Sequence, residues 1–265
     1  MNVHNVPSKD GTLIAFERSG EGPAIILVGG AIQYRAIDPQ TAQLAAILAQ
    51  DFTVFHYDRR GRGDSGDTLP YAVEREIEDL EALIDEAGGA ALVFGISSGA
   101  ALAMQAAARL GYKVKKLALY EAPYNSEASA RQAYREYTKQ LREALAAGSR
   151  GEAVALFMKL VGMPAGQIEG MRHADMWPMF EASAPSLAYD AAVMGQDASV
   201  PTDLATRVAV PTLVMAGGAS DAFMHNTATA LAKAIPHAQR RTLAGQTHNV
   251  DMEVLAPVLA EFFAG

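Results

Sequence analysis

The stretch Phe94-Gly95-Ile96-Ser97-Ser98-Gly99-Ala100 decides how this sequence is read. The apolar run Ala90–Phe94 before it predicts a buried strand. Gly99–Leu110, apolar on almost every side, predicts a buried helix. Ser97 therefore lies on a strand-to-helix turn, the setting in which G-x-S-x-G marks a nucleophile. The reason is steric. A Ser on so tight a turn adopts a strained backbone, and the residues two positions either side must lack side chains. Gly95 and Gly99 meet that need for Ser97, whereas the neighbouring hydroxyl of Ser98 has no such pair. The helix N-terminus also turns free N–H groups toward the hydroxyl. The structural use of the same residue would be a plain helix N-cap.

The alternation of strand and helix extends outward from this turn. Val3–Val6 and Thr12–Phe16 flank Ser8-Lys9-Asp10-Gly11 and predict a hairpin. Ala24–Val28, ending in Gly29-Gly30, and Phe52–Tyr57 predict further strands, with a helix over Pro39–Ala49 between them. The apolar spacing of Tyr71–Glu86 predicts an amphipathic helix, and Lys116–Tyr120 a strand. The rhythm then breaks. Residues 123–207 contain helical stretches, Ser126–Ala147 and Arg150–Val161, and no convincing strand. It resumes with strands at Thr212–Met215 and Gln239–Leu243 and helices near Asn226–Ala234 and Val254–Phe263. This pattern predicts an α/β fold: a mostly parallel eight-stranded sheet with helices on both faces. Residues 1–122 and 208–265 would form the core, and 123–207 a helical insertion over the carboxyl ends of the strands, where such sheets bind ligands.

Composition narrows the chemistry. In 265 residues there are 22 Lys and Arg against 30 Asp and Glu, a net charge of −8, and no Cys. The negative balance argues against nucleic acid and anionic membranes as partners. Without Cys there is no disulfide framework, thiolate metal site or Cys nucleophile. The N-terminal stretch lacks the pattern of a signal peptide, and no apolar run is long enough to span a membrane, so the expectation is a soluble cytoplasmic protein. No metal and no cofactor are expected.

A Ser nucleophile needs a base. Of six His, His248 stands out, in the loop Ala244-Gly245-Gln246-Thr247-His248-Asn249 between the last predicted strand and the last helix. His56 falls inside a strand and is expected to face the core. One competing motif, Gly61-Arg62-Gly63-Asp64-Ser65-Gly66, matches G-x-G-x-x-G after a strand. A dinucleotide site needs those glycines to open a helix, and Asp67-Thr68-Leu69-Pro70 intervenes.

Taken in order, the hairpin, Gly29-Gly30, the turn Asp58-Arg59-Arg60-Gly61-Arg62-Gly63-Asp64-Ser65, the Ser97 turn and the late His248 resemble an α/β-hydrolase over essentially the whole chain. The resemblance implies an oxyanion hole from the N–H groups of Ser98 and Ala31, with Gly30 beside the substrate. It leaves two residues for the acid that orients the His. Asp221 fits the usual place after the seventh strand. Glu121 fits a variant arrangement after the sixth, and Ser97-Ser98-Gly99-Ala100 with Glu121-Ala122-Pro123 is similar to zearalenone-type lactonases. Helix capping would otherwise occupy Asp221, and an Arg of the insertion would otherwise pair with Glu121. The preference is for Glu121.

The insertion concentrates Met158, Met163, Met171, Met176 and Met179 with Phe157, Trp177 and Phe180. Flexible apolar side chains suit a pocket roof as well as a small helical core. Trp177 is the expected substrate contact. The expected activity is serine hydrolysis of an ester or lactone of a small, largely apolar molecule by a monomer or homodimer. A carbon–carbon bond hydrolase, an amidase or aminopeptidase, and a non-catalytic ligand-binding protein of the same fold are the rivals.

Overall fold

The computed structural model describes residues 2–265, leaving Met1 outside. Its strands are β1 (Val3–Pro7), β2 (Leu13–Ser19), β3 (Ala24–Val28), β4 (Thr53–Tyr57), β5 (Ala91–Ile96), β6 (Val114–Tyr120), β7 (Thr212–Gly217) and β8 (Ala238–Leu243). They form one sheet in the order β1-β2-β4-β3-β5-β6-β7-β8. β2 runs antiparallel to both β1 and β4, and every other pairing is parallel. The order reverses direction around β3 and β5, and the carboxyl strand ends beside such a switch point are where sheets of this kind bind ligands.

Two apolar layers explain why the central strands read as unbroken apolar runs. Ile26, Val28 and Val93 enter the core on one face, while Ile25, Leu27, Leu92 and Phe94 enter the other. A strand with both faces covered has no solvent side to mark by polar alternation. The first layer is closed by α2 (Val73–Glu86), α3 (Ser98–Leu110) and α10 (Ala222–Ala234). The second is closed by α1 (Pro39–Leu48) and α11 (Met252–Ala264). α3 buries Ala100 through Met104 completely, so it is apolar all round.

Between β6 and β7 lie α4 (Ala128–Ala146), α5 (Arg150–Leu160), α6 (Ala165–Met171), α7 (Trp177–Ser183), α8 (Leu187–Met194) and α9 (Thr202–Ala205). The single isolated bridge of this segment, Asn125 to Ser199, ties its two ends together. Several helix starts differ from the sequence reading by one to four residues. Tyr71 lies ahead of α2: its hydroxyl donates to Glu76 and its ring stacks on Tyr189 at 3.8 Å. α10 begins four residues earlier than its apolar spacing suggests, directly after Asp221. Among the described residues no helix is long and apolar enough to cross a membrane.

Candidate active site

Ser97 ends the turn from β5 into α3 with φ 57° and ψ −130°, a conformation that costs a non-glycine residue energy. The two glycines make it possible. A Cβ on Gly95 would meet the Gly99 carbonyl oxygen at 2.5 Å, and one on Gly99 would strike the carbonyl oxygens of Val28 and Gly29. The same close approach presses the start of α3 against the end of β3. A Cβ on Gly30 would stand 3.0 Å from the Cβ of Ser97, so the loop after β3 runs directly beside that side chain. Among the described residues, neither the N–H of Ala31 nor that of Ser98 has a hydrogen-bond acceptor. The Gly30 N–H, in contrast, is taken by Gln33 Oε1.

The end of β6 joins Ser97 to the other polar residues. The Ser97 N–H donates to the Tyr120 carbonyl at 2.9 Å. The next residue, Glu121, has φ 47° and a fully buried side chain. One of its oxygens accepts from Gly217 N–H at 2.7 Å and Ser220 Oγ at 2.5 Å, and the other lies 2.8 Å from His248 Nδ1. Tyr120 reinforces this from the same strand, its hydroxyl donating to the Thr247 carbonyl at 2.6 Å. Burial pushes the Glu121 carboxyl up, but the hydrogen bonds from His248, Ser220 and Gly217 outweigh it and hold it below the usual Glu range. An ionised carboxylate only accepts, so His248 Nδ1 is the donor, and in the neutral ring this tautomer puts the lone pair on Nε2.

The structure thus brings Glu121 and His248 together and leaves Asp221 aside. Asp221 is exposed and stands at the N-terminus of α10 without a side-chain capping bond. Trp177 opens α7 at 6% exposure, with the Arg172 guanidinium 5.3 Å from its ring and Gly151 of α5 alongside. These neighbours belong to the insertion itself, the setting of a core residue. Met158 is buried with it, whereas Met176 and Met179 are exposed. His56 is buried within β4, as its strand position implies. Among the described residues no three of His, Asp and Glu are grouped closely enough to hold a metal ion.

Residues 25–259 match the model of the alpha/beta hydrolase family. The chain belongs to this family. Its fold is similar to the crystal structure of an alpha/beta hydrolase from Sphaerobacter thermophilus, with a TM-score of 0.88 and 53% identity over 98% of this chain and 100% of that one. Two more distant structures share the fold. A thermophilic esterase from Thermogutta terrifontis has a TM-score of 0.70 at 22% identity, covering 100% of this chain and 98% of that one. An enol-lactonase from Burkholderia xenovorans has 0.69 at 21%, covering 99% and 100%.

In this α/β-hydrolase the turn after β4 does work that its spacing does not reveal. Arg59, Arg60 and Arg62 are almost completely buried. Arg59 forms a two-pronged pair with Glu76 at 2.7 and 2.8 Å and reaches Asp190 of α8 at 2.7 Å. Arg60 pairs in the same two-pronged way with Asp79. Arg62 bonds the other Asp190 oxygen at 2.7 Å. Asp190 also accepts from Ser98 Oγ at 2.7 Å, so the second hydroxyl of the Ser97-Ser98 pair is committed to this network. Burial pushes the Asp190 carboxyl up, and Arg62 and Arg59 pull it down further, leaving it below the ordinary Asp range. The glycines here serve the turn: Gly61 and Gly63 take φ of 72° and 53°, and no helix begins until Val73.

Proposed function

We propose that this hydrolase cleaves an ester or lactone of a small, largely apolar molecule through an acyl-enzyme on Ser97. The observation that carries the proposal is the 2.8 Å bond between His248 Nδ1 and Glu121, the residue after the Tyr120 whose carbonyl anchors the N–H of Ser97, itself held at positive φ at the start of α3. In the first step Ser97 Oγ attacks the carbonyl carbon while His248 Nε2 takes its proton. Glu121 stabilises the imidazolium so formed and keeps the ring in its productive tautomer. The N–H groups of Ala31 and Ser98 receive the negative oxygen. Collapse expels the alcohol, to which His248 returns the proton. A water, deprotonated in turn by His248, releases the acid and restores Ser97. A lactone opens by the same steps, its alcohol remaining tethered to the acyl group.

No step calls for a metal or cofactor. Residues 123–207 act as a cap that selects the substrate, and the partners are small molecules rather than nucleic acid or membrane. The test is a panel of esters, lactones and amides against the enzyme and its Ser97→Ala and His248→Ala variants. Turnover of at least one ester or lactone is expected, with kcat down on the order of 10⁴-fold for Ser97→Ala. Turnover restricted to amides or carbon–carbon bonds, or binding without turnover, would replace this reading with one of its rivals.

A further inference from the structure

Arg62 is 2% exposed, and its donors are divided among three elements. Nη1 donates to the Gly30 carbonyl at 2.6 Å, Nη2 to Asp190 at 2.7 Å, and Nε to Ser186 Oγ at 3.0 Å. The Gly30 carbonyl and the Ala31 N–H are the two ends of one peptide group. The cis peptide among the described residues is Leu69–Pro70, so the Gly30–Ala31 bond is trans and its N–H points opposite to its carbonyl. A guanidinium fixed on one end therefore fixes the direction of the other. It also polarises the group, which makes the far N–H a stronger donor. The next residue, Ile32, is β-branched yet held at φ 62°, so this loop is kept in a shape it would not adopt unaided. Asp190 bonds Arg62 with one oxygen and Ser98 Oγ with the other. One carboxylate from α8 thus binds Ser98 directly and, through Arg62, braces the peptide group that carries the Ala31 N–H.

We propose that Arg62, braced by Asp190 of α8, is the positioning residue of the oxyanion site: it clamps the Gly30 carbonyl and thereby aims the Ala31 N–H. The inference rests on the reading of Ser97 as an acyl-transfer nucleophile. It makes the helical insertion a structural requirement for catalysis as well as a cover for substrate. The charges balance within the cluster, Arg59 and Arg62 against Glu76 and Asp190, so neither guanidinium is left over for a substrate carboxylate.

The experiment uses two readouts on the full chain. One is kcat and KM on an ester the enzyme turns over. The other is the inhibition constant of an aryl trifluoromethyl ketone, whose carbonyl carbon bonds Ser97 Oγ while the proton passes to His248, leaving an alkoxide in the oxyanion site. Arg62→Gln should lower kcat by about 10²-fold and weaken ketone inhibition in parallel, with KM within about threefold of the parent. Arg62→Lys keeps a cationic donor for the Gly30 carbonyl and should restore much of both. The paired Arg62→Met, Asp190→Leu variant removes opposite charges together, retains the charge balance, and should show the same loss as Arg62→Gln. A folded Arg62→Gln or paired variant with parental kcat and ketone affinity would overturn the proposal, as would a change confined to KM or melting temperature. A parent enzyme that forms no ketone adduct, with a Ser97→Ala variant of undiminished turnover, would instead overturn the acyl-transfer reading and this inference with it.

Discussion

Glu121 and His248 are 127 residues apart in sequence and 2.8 Å apart in space, joined across the carboxyl end of β7, which lies between β6 and β8 in the sheet. The strand that supplies Glu121 also anchors Ser97, whose N–H binds the Tyr120 carbonyl. A shift of β6 would therefore disturb Ser97 and the Glu121–His248 pair together. The Glu121 carboxylate stands at a strand end with three hydrogen bonds around it, and the Asp221 carboxylate has no such setting.

Glu121→Gln should lower kcat/KM by roughly 10²-fold or more, because an amide neither fixes the Nδ1 proton nor stabilises the imidazolium. Asp221→Asn should leave it nearly unchanged. Steady-state rates of both variants on one ester decide the matter, and the reverse ranking would return the role to Asp221.

Protonating Asp190 should loosen the tie between α8 and the core. A carboxyl whose folded pKa is depressed adds stability above its ordinary value, and that stability is lost as pH falls through the depressed one. Melting temperature should therefore hold down to the ordinary Asp range, about 3.9, and fall below it. Asp190→Asn should melt lower at neutral pH and decline less steeply on acidification. Parallel melting curves for the two proteins would contradict this.

The sheet and the Ser97 turn were legible because they rest on local signals. Continuous apolar runs mark strands covered on both faces, and glycines at −2 and +2 announce a tight turn. The His was legible from its place between the last strand and helix. What the sequence concealed was long-range. Nothing around Asp190 in Leu187-Ala188-Tyr189-Asp190-Ala191 announces two arginines more than a hundred residues earlier. The sequence marks the stretch after β4 only as a Gly-rich turn, because an inward-facing cation is detectable only once its carboxylates are placed. Tyr71 fits the helical spacing of α2, yet its hydroxyl and ring are engaged by Glu76 and Tyr189 instead.

Trp177→Ala should act mainly on stability. The ring is buried among residues of the insertion, and truncating it should cost about 3 kcal/mol. Activities on different substrates should fall together after correction for the folded fraction. An altered order of substrate preference with an unchanged melting temperature would show that Trp177 contacts substrate.

Gly99→Ala should fail by collision. The added methyl meets the carbonyl oxygens of Val28 and Gly29, backbone atoms that cannot step aside. A loss of more than ~2 kcal/mol is expected, read from denaturant unfolding. A variant of parental stability would show that α3 does not need this close approach to β3.

The proposed chemistry turns on a covalent step, and the mass of the enzyme quenched during turnover of an activated ester tests it most directly. The enzyme should gain the mass of one acyl group, peptide mapping should assign it to Ser97, and it should disappear when substrate is exhausted. An acyl group on Ser98, or an enzyme that turns over the ester yet carries no acyl group when quenched and takes no label on Ser97 from a fluorophosphonate, would contradict it.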